Sequence, residues 1–414
     1  MQKGIENIKK TLGKVPSNSG VYKMLSKNKE ILYIGKAKNL SKRISSYTNI
    51  KKFNNRLQRM VSLIDKIEFI ITEDESRALL LEAALIKEIK PKFNILLKDD
   101  KTYPNIELRL GHKWPQIKKH RGKKNSKHIY YGPFASAYHV NTTIDTLQKI
   151  FSLRSCSDHE LANRKRPCIQ FQIHRCSAPC TGEIGKESYE LIVDNLLNYM
   201  NGKSNNLLNR LINEMNEASQ VLDYEKAANI RDKIRSLKKT NQLFHNKYKS
   251  LGEADIFCIA KLNNQIAIEV IFCRNGQNYG SNTHFLLVKI EDSLTEILEK
   301  FLVQFYNNQT IPNNITVSHN LLQKNLLEKA FYFKTKSKIK IFNPDESSVR
   351  EVLTNGKKKA EQSLAKYLAE QEKNINLLKF LRNKFDFSKD INKIEVYDNS
   401  HFAGKEAVGS YIVA

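Results

Sequence analysis

The chain has 414 residues, enough for about two to four domains. Its 69 lysines and arginines against 43 acids leave a formal charge of +26. A Lys- and Asn-rich composition explains part of that excess, and the rest implies a polyanionic partner. No stretch approaches a transmembrane length, so nucleic acid fits better than a membrane. The start, Met1 to Lys14, lacks the apolar core of a signal peptide, and the expected location is cytoplasmic.

Two short alternating runs, Gly20 to Leu25 and Ile31 to Gly35, read as the paired strands of a hairpin. Asn39 reads as the N-cap of a helix running to about Tyr47. On it Arg43 and Tyr47 are four residues apart, and Lys36 lies seven before Arg43, so the three can share one face. Phosphodiester chemistry needs such groups: cations for the phosphate charge and a phenol to move a proton. The alternative is a pair of strand aromatics beside a solvated basic helix. Asp74 can cap a helix from about Ser76 to Lys90 that stops at Pro91. Within it, Glu82 has Ala78, Leu79, Leu85 and Ile86 at three and four residues, which predicts a carboxylate in the core-facing stripe. Such a group is costly unless it is paired or binds a metal, and a lone carboxylate suits one hard divalent cation, Mg²⁺ (or Mn²⁺), held largely by water and phosphate. Asn94, ending Pro91-Lys92-Phe93-Asn94, offers an amide to order that site.

Gly20-Val21-Tyr22, the run from Tyr33 to Arg43 (YIGKAKNLSKR), LLLEAALIKEIKPKFN and KDDKTYP resemble the GIY-YIG nuclease domain of the UvrC family, the incision subunits of bacterial nucleotide excision repair. The two tripeptides alone are a weak signal; with the basic helix, the embedded glutamate and the PKFN segment they are a strong one. The resemblance implies a site of Tyr22, Tyr33, Lys36, Arg43, Tyr47, Glu82 and Asn94. Glu82 would hold the metal, Tyr33 would act as general base toward the attacking water, and Lys36 would lower the cost of its ionisation. Arg43 would stabilise the phosphoryl charge, with Tyr22 and Tyr47 orienting the phosphate. Val21 stands where the signature has Ile, an apolar strand position in either case.

Four of the six cysteines cluster, Cys156, Cys168, Cys176 and Cys180, with 11, 7 and 3 residues between them. Their segment is too polar to build its own core, so four thiolates on a metal centre would staple it. Structural zinc usually shows two close pairs and only one is present, so an iron–sulfur cluster suits the spacing at least as well. His159 and His174 keep a mixed-ligand zinc site open. Members of the UvrC family carry this region, and the resemblance implies a 4Fe–4S cluster. Arg154, Arg164, Lys165, Arg166 and Arg175 around it then form an expected DNA contact surface. Cys258 and Cys273 lie in apolar strand-like runs and read as ordinary buried residues.

From Asn206 to about Phe244 the pattern is helical. Leu208, Leu211, Ile212, Met215 and Leu222 form one apolar stripe, and Asp223 can cap a second helix with Ala227, Ala228, Ile230, Ile234 and Leu237. A hairpin packed within the chain is one reading. The stretch also resembles the UVR motif, which implies docking to UvrB through Tyr224, Glu225, Ala227, Ala228 and Arg231.

From about Ala254 the chain alternates as strands, followed by a charged helix from about Ser347 to Leu381 and a strand from Ile394 to Tyr397. This resembles the family's RNase H-like endonuclease half. There Asp398, in Asp398-Asn399-Ser400-His401, would supply the first metal-binding carboxylate of a site left incomplete at Ala414. A lone Asp at a strand end is otherwise a turn residue. The expected architecture is α+β and multidomain: 1–98 a GIY-YIG nuclease domain (a small antiparallel sheet flanked by helices), 99–200 a linker with the cysteine-rich metal-cluster region, 201–245 a UVR helical hairpin, and 246–414 part of an RNase H-like α/β domain. The expected function is metal-dependent incision of damaged double-stranded DNA marked by UvrB, on the 3′ side of the lesion. The rivals are a stand-alone Cho-type 3′ repair nuclease and a non-catalytic DNA- and UvrB-binding adaptor.

Overall fold

The computed structural model describes residues 2–49, 55–94, 102–201, 204–243, 251–263, 265–287, 293–343, 349–391, 393–402 and 405–413. Helix α1 (Gln2–Leu12) precedes β1 (Gly20–Leu25) and β2 (Ile31–Ala37), the expected antiparallel hairpin, with Tyr22 opposite Gly35. Strand β2 runs two residues beyond its predicted end. Helix α2 (Leu40–Ser46) is capped as expected, the Asn39 side chain accepting from the Lys42 N–H. Helix α3 (Asn55–Leu63) and strand β3 (Lys66–Ile71) are not among the predicted elements; β3 pairs with the free edge of β1 to give the order β2-β1-β3.

Helix α4 (Glu75–Ile89) is capped by Asp74 and closed by Lys90 in the left-handed conformation just before Pro91. It serves two cores at once. Ala78 and Ile86 pack with Val21 and Ile34 of the small sheet, while Leu79 and Ala83 belong to the large core of the rest of the chain. This double packing accounts for the apolar residues around Glu82, which is itself half-buried at the edge between the two faces.

Strands β4 (Asn105–Arg109), β5 (Gln116–His120) and β6 (Ile129–Tyr131) form a sheet of order β5-β4-β6, followed by α5 (Ala137–Phe151), α6 (Asp158–Asn163), α7 (Ile169–Gln172) and α8 (Lys186–Met200). Helices α9 (Ser204–Gln220) and α10 (Tyr224–Leu243) make the expected hairpin, with Asp223 accepting from the Lys226 N–H at 3.1 Å. Its predicted end at Phe244 lies outside the described residues. Leu211, Ile230, Ile234 and Leu237 enter the large core alongside residues of α5 and α8, so the apolar stripe packs within the chain. Leu222, expected on that stripe, is exposed instead, because it sits in the turn between the helices.

Strands β7 (Ala254–Leu262), β8 (Gln265–Arg274) and β9 (Gln277–Leu287) run antiparallel in succession. After α11 (Leu294–Asn308), β10 (Asn314–Val317) adds to β7 in parallel, and after α12 (Lys324–Thr335), β11 (Lys340–Phe342) adds to β10. The five strands stand in the order β11-β10-β7-β8-β9. Cys258 and Cys273 are fully buried in β7 and β8, as expected. Helix α13 (Arg350–Lys384) covers the sheet; its predicted start at Ser347 lies outside the described residues.

The last pair, β12 (Glu395–Phe402) and β13 (Lys405–Val413), is antiparallel with Asp398 opposite Ser410, and among the described residues it is separate from the five-stranded sheet of residues 254–342. Strands β10 and β11, of four and three residues, are too short to stand out in sequence, and this is why the sheet's parallel half went unrecognised.

Candidate active site

The groups expected from the GIY-YIG resemblance converge on a cleft of about 1260 Å³ lined by Tyr22, Tyr33, Lys36, Arg43, Tyr47, Glu82 and Asn94. The sheet and two helix ends bring them there. Tyr22 projects from β1 across Gly35, and a Cβ at position 35 would collide with the Tyr22 hydroxyl and the Tyr33 ring. Glycine is required at that crossing for space, not for its backbone angles. The Tyr22 hydroxyl lies 2.8 Å from that of Tyr47, the residue that closes α2. Arg43, one turn earlier, donates from Nε to the Tyr22 hydroxyl at 3.4 Å and stands 5.4 Å from the Tyr47 ring centre. Burial, reinforced by the neighbouring Tyr47 and Tyr33, raises Tyr22 well above the usual phenol range, so Tyr22 stays neutral. Tyr33 is only half-buried, with its ring centre 6.3 Å from that of Tyr22.

Glu82 accepts the main-chain N–H of Lys36 through Oε1 at 3.1 Å. Burial pushes its carboxyl up to about 6 despite the opposing charges of Lys36, Lys300 and Arg43. Glu82 is in no ion pair among the described residues, so its carboxylate is available to a cation entering the cleft. Among those residues no three His, Cys, Asp or Glu side chains form a metal-holding group. The donor set is therefore one carboxylate with room for water and phosphate, which fits Mg²⁺ or Mn²⁺.

One expected placement changes. The Lys36 ammonium, expected beside Tyr33, ion-pairs with Glu75 at 2.7 Å. Arg43 is thus the cation arranged around the phenols. The Asn94 amide meets β2: its Oδ1 accepts from the Ile34 N–H at 2.9 Å and its Nδ2 donates to the Ile34 carbonyl at 2.8 Å, a two-point clamp that positions the strand. Sequence reasoning missed Glu75, which reads as part of the capped first turn of α4. It also missed Glu299 and Lys300 of α11 on the opposite wall of the cleft, for which the sequence carries no signal.

In the cysteine-rich segment, Cys176 lies within electrostatic range of Cys156, Cys168 and Cys180, and Cys156 within range of Cys180. Cys176 is buried, which pushes its thiol up to about 11, and its sulfur accepts from the Ala178 N–H. The four do not close to ligating geometry among the described residues. His159 is exposed and engages Asn163, and His174 is exposed in the left-handed region. Arg154, expected on the DNA surface, is 1% exposed, since its guanidinium bonds to the carbonyls of Trp114 and Cys156 and to Asp158. It is a structural tie. Arg164, Lys165 and Arg166 are exposed and Arg175 is half-buried.

At the hairpin turn, Val221, Leu222 and Tyr224 are all more than 60% exposed, with Glu225 exposed and Ala227 and Ala228 half-buried. Arg231 is exposed and pairs with Asp232. Asp398 is exposed on β12. The side chain of His401, in the same expected motif, lies outside the described residues. No described helix is long and apolar enough to cross a membrane.

Four family profiles match in chain order: a UvrC-like GIY-YIG domain over residues 18–95, the UvrC/Cho excinuclease middle domain over 103–199, the UvrB/uvrC motif over 205–240 and the UvrC ribonuclease H-like domain over 253–367. The UvrABC system protein C of Hyphomonas neptunium is 42% identical over 412 residues, covering 100% of this chain and 67% of the relative. That of Gluconobacter oxydans is 40% identical over 412 residues, 100% of this chain and 64% of the relative. That of Rickettsia bellii is 41% identical, at 99% and 65%. The chain therefore spans about two thirds of the length of these relatives. Among solved structures, the GIY-YIG N-terminal endonuclease domain of UvrC from Thermotoga maritima, bound to magnesium as its catalytic divalent cation, is 39% identical over 22% of this chain and 98% of that one, with a TM-score of 0.20.

Proposed function

The chain belongs to the UvrC family, and from that premise we propose that its N-terminal cleft hydrolyses a phosphodiester of damaged double-stranded DNA, on the 3′ side of the lesion. The observation that carries this reading is the convergence of Arg43, the three phenols and the half-buried Glu82 on one cleft. Tyr33, the half-buried phenol, takes the proton of the attacking water. Arg43 faces the phosphoryl oxygens as the P–O bond breaks, and Tyr22 and Tyr47, hydrogen-bonded to each other, orient the phosphate. Lys36 holds Glu82 by its main-chain N–H, and Asn94 fixes the strand that carries both Tyr33 and Lys36. Mg²⁺ or Mn²⁺ bound at Glu82 would supply Lewis-acid charge to the phosphate.

The exposed apolar turn Val221-Leu222 with Tyr224 supports UvrB as the partner of the hairpin, since the rest of its apolar stripe is already used within the chain. Four cysteines in a segment with little core of its own, with one close pair where structural zinc usually has two, support a 4Fe–4S centre on Cys156, Cys168, Cys176 and Cys180 over zinc. A DNA substrate implies a cytoplasmic setting.

The test is Mg²⁺-dependent nicking of a lesion-bearing duplex. Tyr33→Phe and Glu82→Ala should each lower turnover by ~10²–10⁴-fold, as for loss of a group that moves a proton or holds the metal, with DNA binding retained. Activity within twofold of the parent in both variants overturns the reading.

A further inference from the structure

We propose that the loop of residues 121–128, with the adjoining strand β5, is a surface that grips the sugar–phosphate backbone of duplex DNA. The inference rests on the DNA-nuclease reading and concerns residues that do not line the cleft. Strands β5 and β6 are both antiparallel to β4 and lie on its opposite edges. The connection between them must therefore travel from the Asn105 end of the sheet back to the Leu108 end. One face of this sheet is apolar, with Ile106, Leu108 and Ile117 in the large core. The other carries Glu107, flanked by Lys118 and Tyr130 on the neighbouring strands. The loop crosses that polar face, and Glu107 is left 2% exposed.

The loop is locked by atoms other than its charged ends. The Asn125 N–H donates to the Tyr130 hydroxyl at 2.9 Å, and that hydroxyl donates to Glu107 Oε1 at 3.0 Å. The Lys127 N–H donates to Asn125 Oδ1 at 3.0 Å, and His120 Nε2 lies 3.0 Å from the Lys123 carbonyl oxygen. Lys124 folds back, its ammonium 5.6 Å from the Tyr130 ring centre. Arg121, Lys123 and Lys127 are exposed, and among the described residues no acid pairs with them. A loop already held in one shape loses little further entropy when its cations meet phosphates.

Composition bias does not produce this pattern. Residues 108–144 contain no Asp or Glu, whereas 43 acids in 414 residues would place about four among these 37. The same stretch carries Arg109, Lys113, Lys118, Lys119, Arg121, Lys123, Lys124 and Lys127. Lysines on an edge strand also guard against unwanted pairing, which accounts for Lys118 and Lys119 but not for the loop. Unpaired cations without an array of base-reading side chains favour phosphate contact independent of sequence.

The test is the triple variant Arg121→Gln/Lys123→Gln/Lys127→Gln of the full chain, which leaves every lock of the loop in place. Binding to two unrelated duplexes is followed across a salt series. The slope of log affinity against log salt should flatten by about two to three, at ~0.9 for each phosphate no longer neutralised, equally on both duplexes. Melting temperature and Mg²⁺-dependent turnover at saturating DNA should not change. An unchanged slope with intact nicking overturns this inference alone; a parent chain that binds no duplex at low salt overturns the nuclease reading with it. A lowered melting temperature, or an equal loss of affinity for polyglutamate, also overturns it, because the cations would then serve the fold or any polyanion.

Discussion

The main-chain N–H of Lys36 donates to Glu82 Oε1 at 3.1 Å, so the end of β2 meets the middle of α4 at the carboxylate itself. This bond holds Glu82 without neutralising it. Because the carboxyl is raised to about 6 from its ordinary 4.5, the folded chain binds the proton more tightly than the unfolded one. Stability of the metal-free protein should therefore fall as pH rises from about 4.5 to 6, by about 2 kcal/mol in all, and stay lower above that window. Glu82→Gln should abolish this pH dependence and leave the melting temperature at pH 7 unchanged or raised, while nicking is lost. A Glu82→Gln protein that melts lower at pH 7 would contradict the account. Nicking by the parent should decline as pH falls through about 6, where the carboxylate takes up its proton.

Glu75 sets a second relation. It holds the Lys36 ammonium at 2.7 Å on the wall of a cleft meant for a polyanion. Replacing it with Gln removes a negative charge and releases the ammonium toward the phosphate. Such a partly exposed pair is worth on the order of 1 kcal/mol, so KM for DNA should fall about fivefold at low salt. The gain should shrink at high salt, with kcat little changed. A fall in kcat above tenfold would instead assign Glu75 to the chemistry.

Gly35 and Tyr22 offer a packing test. Gly35→Ala places a methyl group against the Tyr22 hydroxyl and the Tyr33 ring, and overpacking of this kind costs about 1–3 kcal/mol. The cost should shrink in part in a Tyr22→Phe background, which removes the hydroxyl contact and keeps the Tyr22 Cζ contact at 2.6 Å and the Tyr33 ring contact at 2.9 Å. Thermal denaturation of the four proteins of this cycle reads the coupling directly, and strictly additive values would refute the geometry.

The extent to which the site was legible in sequence follows from how its contacts are spaced. Arg43 and Tyr47 are read from helix periodicity, and the Asn39 and Asp74 caps from their neighbours, because those interactions are local. The pairing of Lys36 with Glu75 spans 39 residues, and Lys300 reaches the cleft from a different domain; no periodicity encodes either. Glu82 stands out in the sequence by its apolar neighbours, but these belong to two cores that only the fold separates. Arg154 misled because an arginine in a basic, proline-containing run looks solvated, and the carbonyls of Trp114 and Cys156 that bury it come from loops without a sequence signature.

Arg154 and the exposed Arg164–Arg166 run should therefore part company on mutation. The Arg154 guanidinium is sequestered, with Nε on the Trp114 carbonyl at 2.7 Å, Nη1 on the Cys156 carbonyl at 3.0 Å and Nη2 on Asp158 at 2.5 Å. Truncating it takes a donor from the Trp114 carbonyl and the Asp158 carboxylate, while the Cys156 carbonyl keeps the Gln116 Nε2 donor at 2.7 Å. Because Asp158 is itself about half exposed and can turn to water, the loss falls mainly on the Trp114 carbonyl. Arg154→Ala should cost about 3 kcal/mol, in the range for breaking a buried charged network, and should loosen the loop that carries Cys156. Its duplex affinity per folded molecule should be unchanged, and its salt slope the same as the parent's. The triple variant Arg164→Gln/Lys165→Gln/Arg166→Gln should behave in the opposite way, with an unaltered melting temperature and a flatter salt slope. Denaturation and a salt series on the same two preparations decide the point. A stable Arg154→Ala protein with weakened DNA binding would return Arg154 to the DNA surface.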